Sequence, residues 1–597
     1  MPTQRYSVTQ PAIETLFSWI KMGEIAIPEI QRPFVWDSTK VRNLLDSLMQ
    51  GYPIGYLIAW KNPDVRLKDG TSSSGKRILI DGQQRVTALM AAILGREVID
   101  KDYRTGKIRI AYHPMTRKFE VYNIAIEKDP TWIPDIAVVF DPETKLLDLI
   151  NEYHAKNDGT NKDEIFRSLE ALKGITSNQI GLIELAPDLD IETVTEIFMR
   201  VNSEGVPLSQ ADFAMSKIAV NEAYGGPLLR KAIDYFCHMV TMPDFFKAVK
   251  NDKEFAGSEY FSQMAWLRND TSDIYDPSYN DMLRVAFTYE FKRGRMQHLV
   301  ALLSGRNFET RQYEEVIAED SFARLKDAVM KYMNESNFKR FMMIIRSAGF
   351  INVSMIGSQN AMNFAYALYL TLKDQGLSPG EIERYVRRWY VLSVLTGRYS
   401  ASPESQFDWD IKQLDLQGSQ EYLDSIIDSV LSPSYWDSVL PQEMNTSVVS
   451  SPFFSVYKAA QVKLGDRGLF SNDITVRDLV EIKSDVHHIF PRDYLKRHGY
   501  QRGQYNQIAN YVLTQSEINI AIGNKEPRTY FSQMRDQCRG GPKVYGNIVD
   551  EERLNENLRM NSIPLCVETM DACNYNEFLA MRRKLMAEKI KEYYYSL

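Results

Sequence analysis

Two adjacent histidines near the C-terminus have residue types and spacing suited to hydrolytic chemistry. His487 and His488 stand in the run from Asp485 to Pro491, DVHHIFP, and the chain has only seven histidines. In a strand, neighbouring side chains point to opposite faces, so the two rings would do different jobs. Neutral imidazole is both a metal ligand and a base near pH 7. One ring could therefore bind a cation while the other takes a proton from water; a buried structural pair is the alternative.

A second polar cluster lies at a predicted strand-to-helix junction, IDGQQRVTAL, at residues 80–89. Gly82 would let the backbone approach a ligand, and the first helical turn would offer free N–H groups to an anion. Arg85 can form paired hydrogen bonds to phosphate, and Asp81 could hold a magnesium ion or orient a water. Residues 27–33, IPEIQRP, add polar groups in an apolar setting. The alternative is a tight turn with solvated polar residues.

Residues 70–76, GTSSSGK, match the first seven positions of a phosphate-binding P-loop. The next residue is Arg77, which has no hydroxyl for magnesium. A strand is predicted after it, where a P-loop needs a helix whose N-terminus faces the phosphates. We therefore predict a loop here and no phosphate site.

The order of the C-terminal residues resembles the ββα-metal motif of HNH nucleases, in the form found in GmrSD-type restriction enzymes. Asn510 and Asn519 follow the histidine pair, nine residues apart. The resemblance implies that His488 is the general base and that Asn510 holds the two strands in register and orients the base. It makes His487, Asn519 and Asp485 the candidate metal ligands. Many HNH enzymes have histidine at the place of Asn519, and the harder asparagine favours magnesium or manganese over zinc.

Three N-terminal runs resemble the N-terminal domain of the same enzymes, a domain similar to ParB partition proteins and sulfiredoxin. They are IPEIQRPFVWD, IDGQQRVTAL and FMRVNSEGVPLS, at residues 27–37, 80–89 and 198–209. In that fold a G-x-x-R turn opens a helix and binds nucleotide phosphates. The resemblance implies binding and hydrolysis of an NTP, ATP or GTP. The predicted nucleotide-binding residues are Gln31, Arg32, Asp81, Gly82, Gln83, Gln84, Arg85, Thr87 and Asn202.

Several basic residues near the histidines could contact a DNA backbone. They are Lys525, Arg528, the run at 496–502, and the run at 581–584 with Lys589 and Lys591. Such contacts would be sensitive to salt. The alternative for each is a solvated surface charge.

Apolar spacing predicts the elements that would position these residues. Helices are predicted at 11–22, 41–48, 84–94, 145–154, 191–200 and 208–224, and strands at 56–60, 77–80, 108–112, 119–124 and 486–490. Together they predict a mostly helical α+β chain of several domains. These are a ParB/sulfiredoxin-like α/β domain at 1–225, a helical middle domain at 226–431, a linker at 432–452 and an HNH domain at 453–597.

Composition limits the class of protein. Hydrophobic residues at 44% and charged residues at 25% are typical of globular chains. The net charge of -7 argues against a protein that coats nucleic acid over its whole surface, although residues 481–597 hold 17 basic against 15 acidic side chains. Four scattered cysteines without a C-x-x-C pair exclude a disulfide framework and make structural zinc unexpected. Without an apolar run of about 20 residues, we expect no membrane span and a cytoplasmic protein.

Together, the two ends predict an endonuclease that depends on an NTP and a divalent metal. The resemblance implies a type IV restriction enzyme with both domains fused in one chain, which cleaves double-stranded DNA carrying modified cytosines and defends against phage. A homodimer would let one site per chain cut both strands, and two successive nicks are the alternative. The rival predictions are an RNA-cleaving toxin and a ParB-like nucleotide-dependent DNA-binding protein without cleavage.

Overall fold

The computed structural model describes residues 4–26, 36–61, 77–99, 105–187, 189, 193–194, 197, 209–270, 274–482 and 486–597. The described chain is mostly helical with small sheets, which confirms the predicted α+β class. It divides into two compact units, Met1–Val220 and Asn221–Leu597. None of the described helices combines the length and apolar content that crossing a bilayer requires.

The first unit contains a five-stranded mixed sheet and two-stranded hairpins. Its strands are β1 Tyr6–Thr9, β2 Ile25–Ala26, β3 Tyr56–Lys61, β4 Arg77–Asp81, β5 Val98–Ile99, β6 Thr105–Gly106, β7 Ile110–His113, β8 Lys118–Val121 and β9 Gly181–Leu185. Its helices are α1 Ile13–Lys21, α2 Ser38–Met49, α3 Gln83–Leu94, and then Ile124–Lys128, Ala137–Phe140, Leu146–Lys156, Lys162–Gly174 and Gln210–Val220.

The main sheet has the order β1-β9-β3-β4-β2. β3 is parallel to β9, with Tyr56 opposite Gly181, and antiparallel to β4, with Ile58 opposite Asp81. The start of β3, the start of β9 and the end of β4 therefore meet at one end of the sheet, called here the Asp81 end. β2 is parallel to β4, so it also runs toward this end.

The helix α3 begins and ends at glycines with positive φ. Gly82 has φ 87° and precedes the helix, and Gly95 has φ 64° and follows it. Val86 and Met90 pack with Leu57 and Leu79 against one face of the sheet. The predicted helix at 84–94 is thus confirmed within one residue, because apolar spacing and both glycines point to the same boundaries.

The second unit is built mainly from helices. They are Gly226–Thr241, Phe246–Asn251, Lys253–Ala256, Glu259–Met264, Tyr279–Phe291, Met296–Leu303, Glu315–Met333, Glu335–Ser347, Gln359–Asp374, Pro379–Thr396, Pro403–Leu416, Ser419–Val430, Leu440–Glu443, Pro452–Leu464, Val476–Glu481, Arg492–Arg497, Arg502–Tyr505, Ser516–Ile522, Pro527–Cys538, Glu551–Met560 and Tyr575–Ser596. The 3-10 turns of the chain are Ile175–Ser177, Pro243–Phe245, Ala265–Asn269, Val353–Met355, Ile508–Asn510, Leu565–Thr569 and Ala572–Asn574.

The segment predicted as a linker, 432–452, is helical in part. A π-helical turn, Tyr435–Val439, continues into the Leu440–Glu443 helix. Trp436 is buried, and its ring lies 5.6 Å from that of Tyr594 in the last helix. Prolines and polar residues suggested a connection here, but the aromatic side chains make this segment part of the packed second unit.

Candidate functional site

The histidine pair lies on a short hairpin followed by a helix. β10, Val486–His488, pairs antiparallel with β11, Tyr511–Leu513, so that His487 is opposite Val512 and His488 is opposite Tyr511. The Ser516–Ile522 helix follows β11 and carries Asn519. This strand, strand, helix order brings His487 and Asn519 together although they are 32 residues apart.

His487 is buried, with 4% of its surface exposed. Its Nδ1 lies 2.5 Å from Oδ1 of Asn519. Burial lowers the pKa of His487 to about 4, although the hydrogen bond to Asn519 opposes this shift. The ring is therefore neutral near pH 7, the state in which imidazole can bind a metal.

His488 has a different partner. Its Nε2 lies 2.9 Å from Oδ1 of Asn506. An amide oxygen accepts, so Nε2 carries the proton and Nδ1 keeps the lone pair. Burial lowers the pKa of His488, the hydrogen bond to Asn506 raises it, and the charge of Arg492 lowers it further. A neutral ring with a free lone pair on Nδ1 is the form that a general base needs.

Asn510 holds backbone on both sides of the hairpin. Its Oδ1 accepts from the Phe490 N–H at 2.8 Å, and its Nδ2 donates to the carbonyls of Phe490 and Tyr505 at 3.1 Å each. It is completely buried. Asn510 thus ties the end of β10 to the segment before β11, while the side-chain partner of the His488 ring among the described residues is Asn506. Sequence reasoning missed Asn506, since nothing in its neighbourhood sets this asparagine apart.

Two buried side chains support the loops around the hairpin. The Tyr530 hydroxyl donates to the Ile489 carbonyl at 2.7 Å, next to His488. Arg582, in the Tyr575–Ser596 helix, is completely buried and donates to the carbonyls of Ala509 at 2.8 Å and Asn561 at 3.1 Å. Arg582 therefore braces the residue before Asn510.

The donor atoms of His487 and Asn519 suit a hard divalent cation. Two ligands on adjacent corners of a magnesium octahedron, each about 2.0–2.1 Å from the ion, lie about 3 Å apart. Nδ1 and Oδ1 are separated by 2.5 Å, so a small movement reaches that spacing. Because an amide oxygen accepts, Nδ1 carries the proton in the hydrogen bond, and binding a cation there requires the proton to move to Nε2, which is buried without a partner among the described residues. The hydrogen bond and a shared cation are alternative uses of these two atoms. No group of three His, Cys, Asp or Glu residues placed to hold a metal ion lies within the described part of the chain, and Asp485 falls outside it.

Three of the basic candidates have partners in the fold. Lys525 donates to the Tyr545 hydroxyl at 2.9 Å, and Arg528 pairs with Asp571 at 2.9 Å. Lys589 pairs with Asp466 at 2.7 Å. With Arg582 in the core, the 581–591 cluster does not form a continuous basic face for DNA.

The candidate nucleotide turn lies at the Asp81 end of the main sheet. Arg85 donates through Nη2 to Asp81 Oδ2 and through Nη1 to the Ile54 carbonyl, both at 3.0 Å. The side chains of Arg85 and Asp81 are each 19% exposed. Gln83 donates to the Leu79 carbonyl at 2.8 Å. Arg85 is thus held at the first turn of α3, and its bonds to the described residues leave guanidinium N–H groups for an anion.

Gly82 is fixed by two constraints at this turn. A Cβ at Gly82 would lie 2.2 Å from Cδ2 of Leu57, and its φ of 87° is strained for other residues. Gln84 and Thr87 are half-buried on α3. Of the remaining predicted nucleotide-binding residues, Gln31, Arg32 and Asn202 lie outside the described residues, as does the P-loop-like run at 70–76.

Comparison with known proteins bears on the first unit most directly. Residues 13–219, which contain the Arg85 turn, match the family model of the GmrSD restriction endonuclease N-terminal domain. The chain is also 20% identical over 628 aligned residues to the uncharacterized protein MJ0686 of Methanocaldococcus jannaschii, with 96% of each chain covered. The first match supports an endonuclease of a GmrSD-type restriction system, and a restriction endonuclease acts on DNA.

Proposed function

We propose that this protein is an NTP-dependent, divalent-metal-dependent endonuclease that cleaves DNA carrying modified cytosines. One observation carries the nuclease part. Two adjacent imidazoles are each bonded to an amide oxygen from a different segment, Asn519 for His487 and Asn506 for His488. This arrangement supports a division of labour between a metal ligand and a general base, as the family resemblance implies for His487 and His488.

His488 would take the proton from the attacking water. The hydrogen bond to Asn506 keeps the proton on Nε2 and directs the lone pair of Nδ1 away from that amide. Because burial lowers the pKa of the ring, His488 stays in its neutral form near pH 7, with Nδ1 unprotonated. A positioned base of this kind contributes about 10²- to 10⁴-fold to the rate.

His487 and Asn519 would hold the divalent cation, magnesium or manganese. Once bound, the cation stabilises negative charge on the phosphate and on the leaving 3′ oxygen. The low pKa of His487 keeps its ring uncharged at neutral pH, so that one ring nitrogen has a lone pair for the cation. Asn510 keeps both histidines in place by fixing the backbone that follows them.

The Arg85 turn would bind the triphosphate of ATP or GTP. Gly82 leaves room for the backbone, and the N-terminus of α3 offers N–H groups to the phosphates. Arg85 would exchange Asp81 for phosphate oxygens, a switch of partners that frees the Asp81 carboxylate for a magnesium ion or a water. Coupling this switch to cleavage would restrain a nuclease that otherwise damages host DNA.

A cleavage assay tests the whole proposal. Plain, methylated, hydroxymethylated and glucosylated duplexes are compared with and without NTP and with and without magnesium. We expect cutting only of modified DNA with both additives. Preferential cleavage of RNA would favour the toxin alternative, and DNA binding without any nicking would favour the ParB-like one.

The Arg85→Ala variant tests the first unit separately. We expect it to lose NTP binding and NTP-stimulated cleavage. Arg96→Ala is the matched control, because Arg96 is an exposed arginine after the other end of α3. If Arg85→Ala keeps full NTP-stimulated cleavage, the assignment of the nucleotide turn is wrong.

We also propose that the chain acts as a homodimer, in which each chain cuts one DNA strand. Sedimentation of the full chain with DNA tests this proposal.

A further inference from the structure

A cleft of about 390 Å³ opens at the Asp81 end of the main sheet in the first unit. It is lined by the end of β1, by the loop from α2 to β3 and by the start of β9. Its size is within the range of small-molecule sites, about 300–1,000 Å³. No charged residue is present among its twelve described lining residues. The cleft is therefore suited to a neutral ligand and not to a phosphate.

Two tyrosines give the cleft an aromatic wall. Tyr52 is 59% exposed and Tyr56 is 55% exposed, which is high for such large rings. The Tyr56 ring lies across Gly181 of the neighbouring strand, where a Cβ would come within 2.4 Å of it. The strand pairing thus fixes one ring in advance, so little freedom is lost when a flat ligand stacks on it.

Amide side chains complete the lining. Gln10 follows β1, and Gln179 precedes β9. Amides both donate and accept, so they can bond to the edge of a heterocycle. Aromatic faces combined with amide groups and without charge are the chemistry that recognises a nucleobase by stacking and by its hydrogen-bonding edge.

One loop joins this cleft to the Arg85 turn. Ile54 and Gly55 line the cleft, and the Ile54 carbonyl accepts the hydrogen bond from Arg85. A Cβ at Gly55 would come within 2.4 Å of Arg85 Nη1, so the guanidinium lies directly against the loop. A group bound in the cleft and an anion at Arg85 would therefore contact the same short segment.

We infer that this cleft binds a nucleobase. The base comes either from the NTP or from a cytosine flipped out of the DNA, and this choice of sources rests on the function proposed above. In the first case the cleft selects the nucleotide. In the second case the cleft binds the modified base, and nucleotide binding at the Arg85 turn affects the cleft through the loop that holds Ile54 and Gly55.

The test uses the full chain, with Tyr56→Ala and Tyr52→Ala as separate variants. Calorimetry measures the affinity for ATP, GTP and tripolyphosphate, which lacks a base. A second titration compares duplexes with plain and hydroxymethylated cytosine. Tyr6→Ala is the matched control, because Tyr6 is 50% exposed but pairs with Leu185 at the opposite end of the sheet. Tyr56→Phe keeps the ring and should keep binding.

Loss of a stacking ring should weaken binding about tenfold. If only NTP affinity falls and tripolyphosphate binding is unchanged, the base belongs to the nucleotide. If only the preference for modified DNA falls, the base is flipped from DNA. Either result supports the inference. Affinities and preference that all stay within twofold in both variants would overturn it.

The two proposals can fail separately. If the wild-type chain binds no NTP, but Tyr56→Ala abolishes its preference for modified DNA, the nucleotide part of the proposed function is wrong and the inference about the cleft stands. If NTP binding is lost in Arg85→Ala but unchanged in both tyrosine variants, the proposed function stands and the inference that the cleft binds the base of the NTP is wrong. A wild-type chain that neither binds NTP nor prefers modified DNA removes both.

Discussion

The turn that carries Arg85 takes its shape from the backbone, whereas the hairpin that carries His487 and His488 takes its shape from side-chain pairs. Gly82 sets the turn through a positive φ and close contact with Leu57. At the hairpin, each imidazole is bonded to an asparagine amide. The difference suits the chemistry proposed for each. A phosphate is bound by many N–H groups at once, but a general base needs its proton held on one ring nitrogen so that the other nitrogen keeps a lone pair.

Replacing His488 should show most strongly that the hairpin and the Arg85 turn have different functions, because it should affect DNA cleavage and not NTP hydrolysis. His488→Ala should lower the rate of DNA cleavage by about 10²- to 10⁴-fold, because the general base is lost. NTP hydrolysis, measured on the same sample, should be unchanged. His498→Ala is the control, since that histidine is bonded through Nδ1 to the Tyr494 carbonyl at 2.9 Å and is given no part in the proposed chemistry. Cleavage at the wild-type rate in His488→Ala would remove the nuclease assignment.

The second unit also buries a charged pair, Asp466 and Lys589. Burial raises the pKa of Asp466 to about 6, although Lys589 lies 2.7 Å away and opposes the shift. A folded-state pKa above the unfolded value gives stability that is present below pH 4 and lost as pH rises through 6. The loss amounts to at most about 3 kcal/mol, at 1.36 kcal/mol for each unit of pKa.

Asp466→Asn imitates the protonated carboxyl and measures this loss. Urea unfolding should give equal stability for variant and wild type at pH 4. At pH 7 the variant should be more stable, by up to about 3 kcal/mol. A variant that is less stable than wild type at pH 7 would mean that the ion pair with Lys589 outweighs the cost of burial.

Adding one methyl group tests the backbone-built region. Gly82→Ala should destabilise the protein by about 2 kcal/mol, since the new Cβ meets Leu57 and the positive φ is strained. Gly23→Ala separates the two causes, because Gly23 has φ 76° but nothing within 4 Å of a Cβ. It should lose only the smaller conformational part, about 1 kcal/mol. Equal melting temperatures for the two variants would show that contact with Leu57 costs nothing.

The smallest effect is expected at Asn506. Asn506→Leu should lower kcat about tenfold with KM unchanged, because the His488 ring loses the acceptor that fixes its tautomer. Asn506→Asp keeps an acceptor oxygen and should restore most of the rate. If leucine and aspartate lower kcat equally, Asn506 has only a structural role.

Where local pattern and packing agree, the sequence predicted the structure well. Strand β3 was predicted at 56–60 and observed at Tyr56–Lys61, because its apolar run is bounded by turn residues. The strand predicted at 486–490 ends at His488 instead. The Phe490 N–H donates to the side chain of Asn510, which lies 20 residues later in the sequence. No local sequence pattern predicts this hydrogen bond.

The candidate sites were harder to predict than the elements. The residue types and their order in the sequence identified the histidines and Asn519. Asn506 is identified only by its hydrogen bond to His488, which forms in the folded structure. Arg582 was grouped with surface charges although it is buried. A signal was present: Phe578, Arg582 and Met586 follow the helical spacing of the buried face of the last helix. The charge of Arg582 suggested that it is exposed. It is buried because the folded chain places the carbonyls of Ala509 and Asn561 where they accept its hydrogen bonds.

The position of Arg582 has a consequence for how the nuclease comes into being during synthesis. Its guanidinium supports Ala509 from the Tyr575–Ser596 helix, more than seventy positions later in translation. A nascent chain that has already exposed both histidines still lacks this support. The proposed nuclease site would therefore gain this support only once the Tyr575–Ser596 helix has been synthesised.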